Sequence, residues 1–246
     1  NRTTTRQNWA DMEQKTSAIV MKGKPVAEKV TEGLAAEIEE IASKAGRPPG
    51  LSVVLVGEDP ASRVYVCIKE RLAKKLGILT FDHRIPEDTT QEELLERVKG
   101  LNADPAVDGI LVQLPLPSHL NEQEVLRTVA LEKDVDVFHP ENFGLLALKQ
   151  GLLRPCTPAG VIEILKHYGV EIEGKSVALI GRSKIVGLPL ALLLLHENAT
   201  ITVCHSRTAD IPSVTRQADI VIAAAGQPEL ITADMVASMK NGSVIV

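Results

Sequence analysis

Lys175-Ser176-Val177-Ala178-Leu179-Ile180-Gly181-Arg182-Ser183-Lys184-Ile185-Val186-Gly187-Leu188-Pro189 is the stretch whose reading decides the fold. An aliphatic run, Lys175–Ile180, stops at a glycine, and an apolar helical pattern, Val186–His196, begins straight after it. Strand, glycine turn and helix in that order form the phosphate-binding turn of a dinucleotide fold, where helix N–H groups and the helix dipole face the pyrophosphate. The loop departs from G-x-G-x-x-G because Ser183 stands at the middle glycine. Gly181, Arg182, Ser183, Val186, Gly187 and Pro189 are therefore candidate cofactor contacts of an atypical loop. A cofactor with a free ribose 2′-hydroxyl usually meets an acid about 20 residues past the first glycine. Here that region is Cys204-His205-Ser206-Arg207-Thr208, which offers a hydroxyl and a cation but no acid. With Arg182 nearby, Ser206 and Arg207 suit a 2′-phosphate, so the expectation is NADP rather than NAD. His205 is read as a solvated loop histidine.

Working outward, strand and helix alternate through the rest of the chain, the signature of βαβ units and a mostly parallel sheet. Helical spacing over Pro25–Lys44 stops at Pro48-Pro49-Gly50; strands are expected at Leu51–Val56, Leu79–Arg84 and Gly109–Leu114. Between them lie a helix from Ser62 to Lys74 and another over Thr90–Gly100, where Thr90 and Glu93 resemble a capping box. Asn121 is the expected N-cap of a helix running to Ala130, and Lys133–Gly151 reads as a connecting stretch. After it come a helix from Pro158 to Tyr168, strands at Ala199–Cys204 and Asp219–Ala224, a helix over Ile211–Ala218, and a last strand from Ser243. The expected architecture is α/β with two domains, an N-terminal βαβ parallel-sheet domain over 18–150 and a Rossmann-type dinucleotide-binding domain over 151–246, with a cleft between them. Residues 1–17 read as a disordered leader, with Met12 or Met21 as the natural start.

Composition narrows the classes. The 246 residues are 44% hydrophobic but only 2% aromatic, so the core must be aliphatic, as suits parallel strands under helices. A net charge of −5 leaves no basic footprint for nucleic acid. No apolar run reaches the roughly 18–20 residues of a membrane span. Cys67, Cys156 and Cys204, odd in number and widely spaced, suggest neither a disulfide framework nor a metal site, and are read as reduced, mostly buried thiols of a cytoplasmic protein. The leader lacks the apolar segment of a secretory signal; Arg2 and Arg6 ahead of the first acid keep a mitochondrial presequence as the second reading.

Two distant islands carry the chemistry. Ser62-Arg63-Val64-Tyr65-Val66-Cys67-Ile68-Lys69 opens a helix and puts Tyr65 and Lys69 on one face at i and i+4. Cys67 falls on another face and is read as core packing; Cys156 borders the domain junction and could line the cleft, with packing the favoured reading. Gly109-Ile110-Leu111-Val112-Gln113-Leu114-Pro115-Leu116-Pro117 is a buried strand that stops at a Pro-X-Pro break and delivers Gln113 to its C-terminal end. A lysine, a phenol and an amide converging on one pocket can manage a proton and a water. Either Asp134 or Asp136, on the loop that follows, could accept paired N–H donors from an amino-pyrimidine ring.

Together these segments resemble the bifunctional methylenetetrahydrofolate dehydrogenase/methenyltetrahydrofolate cyclohydrolase family, often called the FolD family. The matching residues are Tyr65-Val66-x-x-Lys69, Asn102-x-Asp104, Ile110 to Leu116, Lys133-Asp134-Val135-Asp136, Pro155-Cys156-Thr157-Pro158-x-Gly160 and Gly181-Arg182-Ser183-x-x-Val186-Gly187-x-Pro189. The resemblance implies a reduced folate in the interdomain cleft, NADP on the second domain, and a homodimer formed through that domain. It implies Lys69 as the central catalytic residue, Tyr65 and Gln113 as its partners, Leu114 and Pro115 at the folate, and Asp136 as the carboxylate gripping the pterin. It implies oxidation of methylenetetrahydrofolate to the methenyl form and hydrolysis of that to formyltetrahydrofolate. Whether Lys69 acts as base or positions the water stays open. The chain departs from the family at Val137, where glycine is common, and ends at Val246, where the family continues with a glycine-rich segment and a final helix. Rival readings are a single-activity member, a dinucleotide-binding pseudoenzyme, and an unrelated Rossmann dehydrogenase.

Overall fold

The computed structural model describes residues 18–246, so the expected leader at 1–17 lies outside the described residues. Two parallel sheets organise the chain. The first contains β1 (Gly50–Val56), β2 (Leu79–Ile85) and β3 (Gly109–Val112) in the order β2-β1-β3. The second contains β4 (Ser176–Ile180), β5 (Thr200–Cys204), β6 (Ile220–Ala223) and β7 (Val244–Ile245) in the order β5-β4-β6-β7. Every ladder is parallel, with Val54 opposite Val112 in the first sheet and Ile180 opposite Ala223 in the second. Strands covered on both faces need apolar residues at every position. Accordingly Val53 to Val56 of β1 and Val177 to Ile180 of β4 are all buried.

Each crossover helix follows from local sequence. α1 is Gly23–Ala45 and α2 is Pro60–Lys75, with Pro60 in its first turn and the Asp59 carboxylate as its cap. α3, Gln91–Ala103, carries the capping box: Thr90 accepts from the Glu93 N–H and the Glu93 carboxylate accepts from the Thr90 N–H. α4, Glu122–Thr128, is capped by Asn121, whose side chain accepts from the Glu124 N–H. α6, Cys156–His167, precedes β4, and α7, Gly187–His196, follows it; α8, Ile211–Gln217, leads to β6.

Two helices differ from the sequence reading. The stretch taken as a connection contains α5, Pro140–Ala147. Pro140 occupies its first turn, where a missing N–H costs nothing, and His139 caps it. A short α9, Ala233–Ala237, capped by Thr232, is the other.

The two sheets are tied together at identifiable points. α1 packs against α6 at its start and feeds β1 at its end. The Tyr168 hydroxyl accepts from the Lys22 N–H at 2.8 Å and donates to the Lys22 carbonyl at 3.0 Å. Val137, at the end of the first half, is buried among Leu146, Ile162, Leu165 and Leu193 in the core of the second. Among the described residues no helix is long and apolar enough to cross a membrane.

Candidate active site between the two sheets

In a doubly wound sheet, a crevice opens at the carboxyl ends of neighbouring strands whose connections leave in opposite directions. In the first sheet that place lies between β1 and β3, and in the second between β4 and β6. A cavity of about 250 Å³ lies against the first crevice and reaches the second half of the chain. Tyr65, Lys69, Gln113, Leu114 and Asp136 line it from one side, and Pro155, Cys156, Thr157, Pro158 and Ile185 from the other.

The lysine and the amide meet although 44 positions separate them: Lys69 Nζ lies 3.5 Å from Gln113 Oε1. Gln113 is placed by its own backbone, whose N–H extends the ladder to the Val54 carbonyl at 2.9 Å. Its side-chain N–H donates to the Leu114 carbonyl at 2.7 Å, which turns the amide oxygen toward Lys69. Lys69 is half-buried, and Tyr65, one turn earlier on α2, is exposed at the mouth. Pro115 follows the cis Leu114–Pro115 peptide, is exposed, and does not line this cavity.

Asp134 and Asp136, equivalent on sequence, separate in space. Asp134 is buried, and its two oxygens accept from the Phe138 N–H, the His139 N–H and the Asn142 side chain. Asp136 lines the cavity beside Phe138. Neighbouring motif residues hold this wall: Lys133 Nζ donates to the carbonyls of Leu101, Asn102 and Asp104, satisfying the open end of α3. Asn102 clasps the end of α4, donating to the Thr128 carbonyl at 2.6 Å and accepting from the Ala130 N–H at 2.9 Å.

Two cysteines correct the sequence reading. Cys67 is exposed, not packed in the core, because the buried stripe of α2 runs through Ser62, Val66 and Ala73 and the next position rotates off it. Cys156 is also exposed as a residue, at the cavity wall. Its thiol is pushed up to about 11, first by burial among protein atoms and then by the Asp136 charge and hydrogen bond, with Lys69 pulling the other way. It therefore stays a thiol at neutral pH, able to donate toward Asp136. Only Cys204 is buried. The aliphatic side chain of Ile185, inside the β4–α7 loop, also reaches the cavity, a contact no local pattern announces.

The β4–α7 loop has the close packing a phosphate cradle requires. Gly181 has a φ of 126°, and a Cβ there would stand 2.3 Å from the Ala224 carbonyl oxygen. A Cβ on Gly187 would stand 2.4 Å from the Gly181 carbonyl oxygen. Ser183 Oγ accepts from the N–H groups of Val186 at 3.1 Å and Gly187 at 3.3 Å, so the residue at the missing glycine caps α7. Pro189 is buried behind the turn, Val186 is half-buried, and Arg182 is exposed in front. Ser206 and Arg207 are exposed just beyond β5. His205 is half-buried rather than solvated: its ring Nδ1 accepts from the Arg207 backbone N–H at 3.1 Å and its backbone N–H donates to Thr208 Oγ1 at 2.9 Å, shaping that turn. Among the described residues no group of His, Cys, Asp and Glu could hold a metal ion.

Comparison with known proteins agrees along nearly the whole described chain. The family described as tetrahydrofolate dehydrogenase/cyclohydrolase, catalytic domain, matches residues 21–136, and its NAD(P)-binding domain matches residues 155–246. The bifunctional protein FolD of Ruminiclostridium cellulolyticum is 49% identical over 230 residues, covering 94% of this chain and 80% of that protein. The crystal structure of the FolD enzyme from Campylobacter jejuni superposes with a TM-score of 0.87 at 42% identity, covering 92% of this chain and 79% of that one. The Trypanosoma brucei enzyme, solved with NADP and an inhibitor, has a TM-score of 0.86 at 38% identity, covering 93% and 77%.

Proposed function

The chain belongs to the tetrahydrofolate dehydrogenase/cyclohydrolase family, and we propose that it oxidises 5,10-methylenetetrahydrofolate with NADP and hydrolyses the methenyl product to 10-formyltetrahydrofolate. The approach of Lys69 Nζ to Gln113 Oε1 in a cavity shared by both halves carries this reading.

Gly181, Gly187 and the capped start of α7 would hold the dinucleotide, with Arg182, Ser206 and Arg207 at its 2′-phosphate. The nicotinamide supplies a hydride acceptor. Hydride transfer requires alignment and no base. Asp136 grips the amino-pyrimidine of the pterin, accepting two N–H donors, while Leu114, Pro158 and Ile185 give the one-carbon unit apolar walls. Hydrolysis of the methenyl cation adds one water, opens the ring and releases one proton. Gln113 orients that water and Lys69 manages its proton, with the Tyr65 hydroxyl at the mouth.

The enzyme acts as a homodimer through its second half, in the cytoplasm. Support for the dimer comes from β5, an edge strand of the second sheet whose Val203 is exposed, as is Leu195 of α7.

Lys69→Met separates the two steps. Methenyl hydrolysis should disappear while part of the hydride transfer survives, followed as methenyl absorbance and reduced cofactor in one cuvette. Equal loss of both in a folded variant would remove Lys69 from the hydrolytic role.

A further inference from the structure

Asp134 stands two positions before the cavity acid and never reaches the cavity itself. It is 4% exposed and bridges to Ile110 of β3. A carboxylate so buried costs several kcal/mol unless donors replace its water. Asp134 Oδ1 accepts from the Phe138 N–H at 3.1 Å, and Oδ2 accepts from the His139 N–H at 2.9 Å and from Asn142 Nδ2 at 2.9 Å. The Asn142 amide is 9% exposed and donates also to the Leu131 carbonyl at 2.8 Å. The Val137 N–H returns to the Asp134 carbonyl at 3.3 Å. Asp136 thus sits on a turn held at Asp134 and Leu131 on one side and at Val137, Phe138 and His139 on the other.

We infer that Asp134 and Asn142 are positioning residues for folate binding: their buried carboxylate–amide clamp fixes the backbone that presents Asp136 to the pterin. The inference rests on the reading of Asp136 as the pterin ligand. The clamp needs a carboxylate in particular. Three donors converge on its two oxygens, and an asparagine at 134 would turn an NH₂ toward at least one of them. Asn142 is the gentler handle, since its loss leaves Asp134 two backbone donors.

The experiment compares Asn142→Ala, Asp134→Asn and Asp136→Ala, singly and with Asn142→Ala combined with Asp136→Ala, in the dehydrogenase assay. Asn142→Ala should raise the KM for methylenetetrahydrofolate about tenfold, the weight of one hydrogen bond to a charged group. The KM for NADP and the kcat at saturating folate should stay within about twofold, because the clamp acts on ground-state placement of one substrate. In the Asp136→Ala background, adding Asn142→Ala should change the folate KM by less than about twofold, since the clamp acts through the missing carboxylate. Additive effects in the double variant, or equal rises in both KM values, would overturn the clamp and leave a merely structural pair. An unchanged folate KM in Asp136→Ala alone would overturn the reading of Asp136 instead. Should Asp134→Asn fail to fold, the cycle through Asn142 still decides.

Discussion

Val137 is a β-branched residue at a φ of 59°, where such a side chain is a steric outlier, and it is only 3% exposed. Replacing it sets two effects against each other. Alanine removes two buried carbons, about 1.6 kcal/mol at about 0.8 kcal/mol per carbon. Glycine removes a third, about 0.8 kcal/mol more, and adds about 0.5–1 kcal/mol of unfolded-state freedom. At an ordinary buried position glycine would therefore lie roughly 1.3–1.8 kcal/mol below alanine. In the left-handed region an L-residue costs about 1–2 kcal/mol that glycine does not. The two nearly cancel, so Val137→Gly and Val137→Ala should fall within about 0.8 kcal/mol of each other. Both should be less stable than the parent, because Val137 fills the second core. Urea unfolding with a common slope reads the difference as a shift in midpoint. A glycine variant more than about 1 kcal/mol below the alanine variant would mean the backbone at 137 carries no steric cost and that packing alone matters there.

Arg207→Ala should weaken NADP binding far more than NAD binding, and titrations of both cofactors showing an unchanged ratio would remove Arg207 from the 2′-phosphate. Cys156, held as a thiol by a pKa near 11, should react slowly with iodoacetamide at pH 8 and faster as the pH nears that value; rapid labelling at neutral pH, read by peptide mass, would contradict its surroundings. Asp108 is held below the usual carboxylate range, first by the Arg47 guanidinium, which sits 2.7 Å away, and then by the Gly50 N–H. A carboxylate with a depressed folded pKa contributes stability above its unfolded pKa, roughly 3.9, and loses it as pH falls through the lower folded value. Asp108→Asn should therefore be less stable than the parent at neutral pH, with the gap closing in acid melts as the pH falls through the lowered folded value; a gap constant with pH would refute the ion pair's part.

Features set by neighbours in sequence were legible before the fold was known. The i, i+4 pair Tyr65 and Lys69, the strand end at Gln113 and the capping box at Thr90 and Glu93 each depend on local geometry alone. What failed depended on an element absent from the sequence reading or on one ambiguous signal. Asp134 and Asp136 could not be told apart because the donors that claim Asp134 are the Phe138 and His139 N–H groups of the turn leading into α5 and the Asn142 side chain on that helix, and α5 reads as a connection in the sequence. Cys67 was assigned to the core on helical phase, yet a rotation of about 100° per residue separates the buried Val66 from its exposed neighbour. Lys133–Gly151 reads as a connection although Pro140 opens α5 within it, since the same ring ends a helix from inside and starts one from the first turn.

Neither half of the chain contains the site alone. The first sheet ends at Gln113 and carries Lys69 on the helix after β1, so its crevice offers proton-handling groups, an acid and the apolar side chains of Val112, Leu114 and Phe138. In the second sheet Gly181 packs against the Ala224 carbonyl too closely to carry a Cβ, and the second half lends the cavity Pro155 to Pro158 and Ile185. A hydride donor and acceptor need to meet within near-contact distance, and a cavity lined from both halves lets each half hold one reactant. The halves keep that distance through Val137 in the second core and Lys22 on Tyr168, both outside the cavity lining. Alignment of the two reactants is therefore governed by packing at the seam as much as by the groups that touch them.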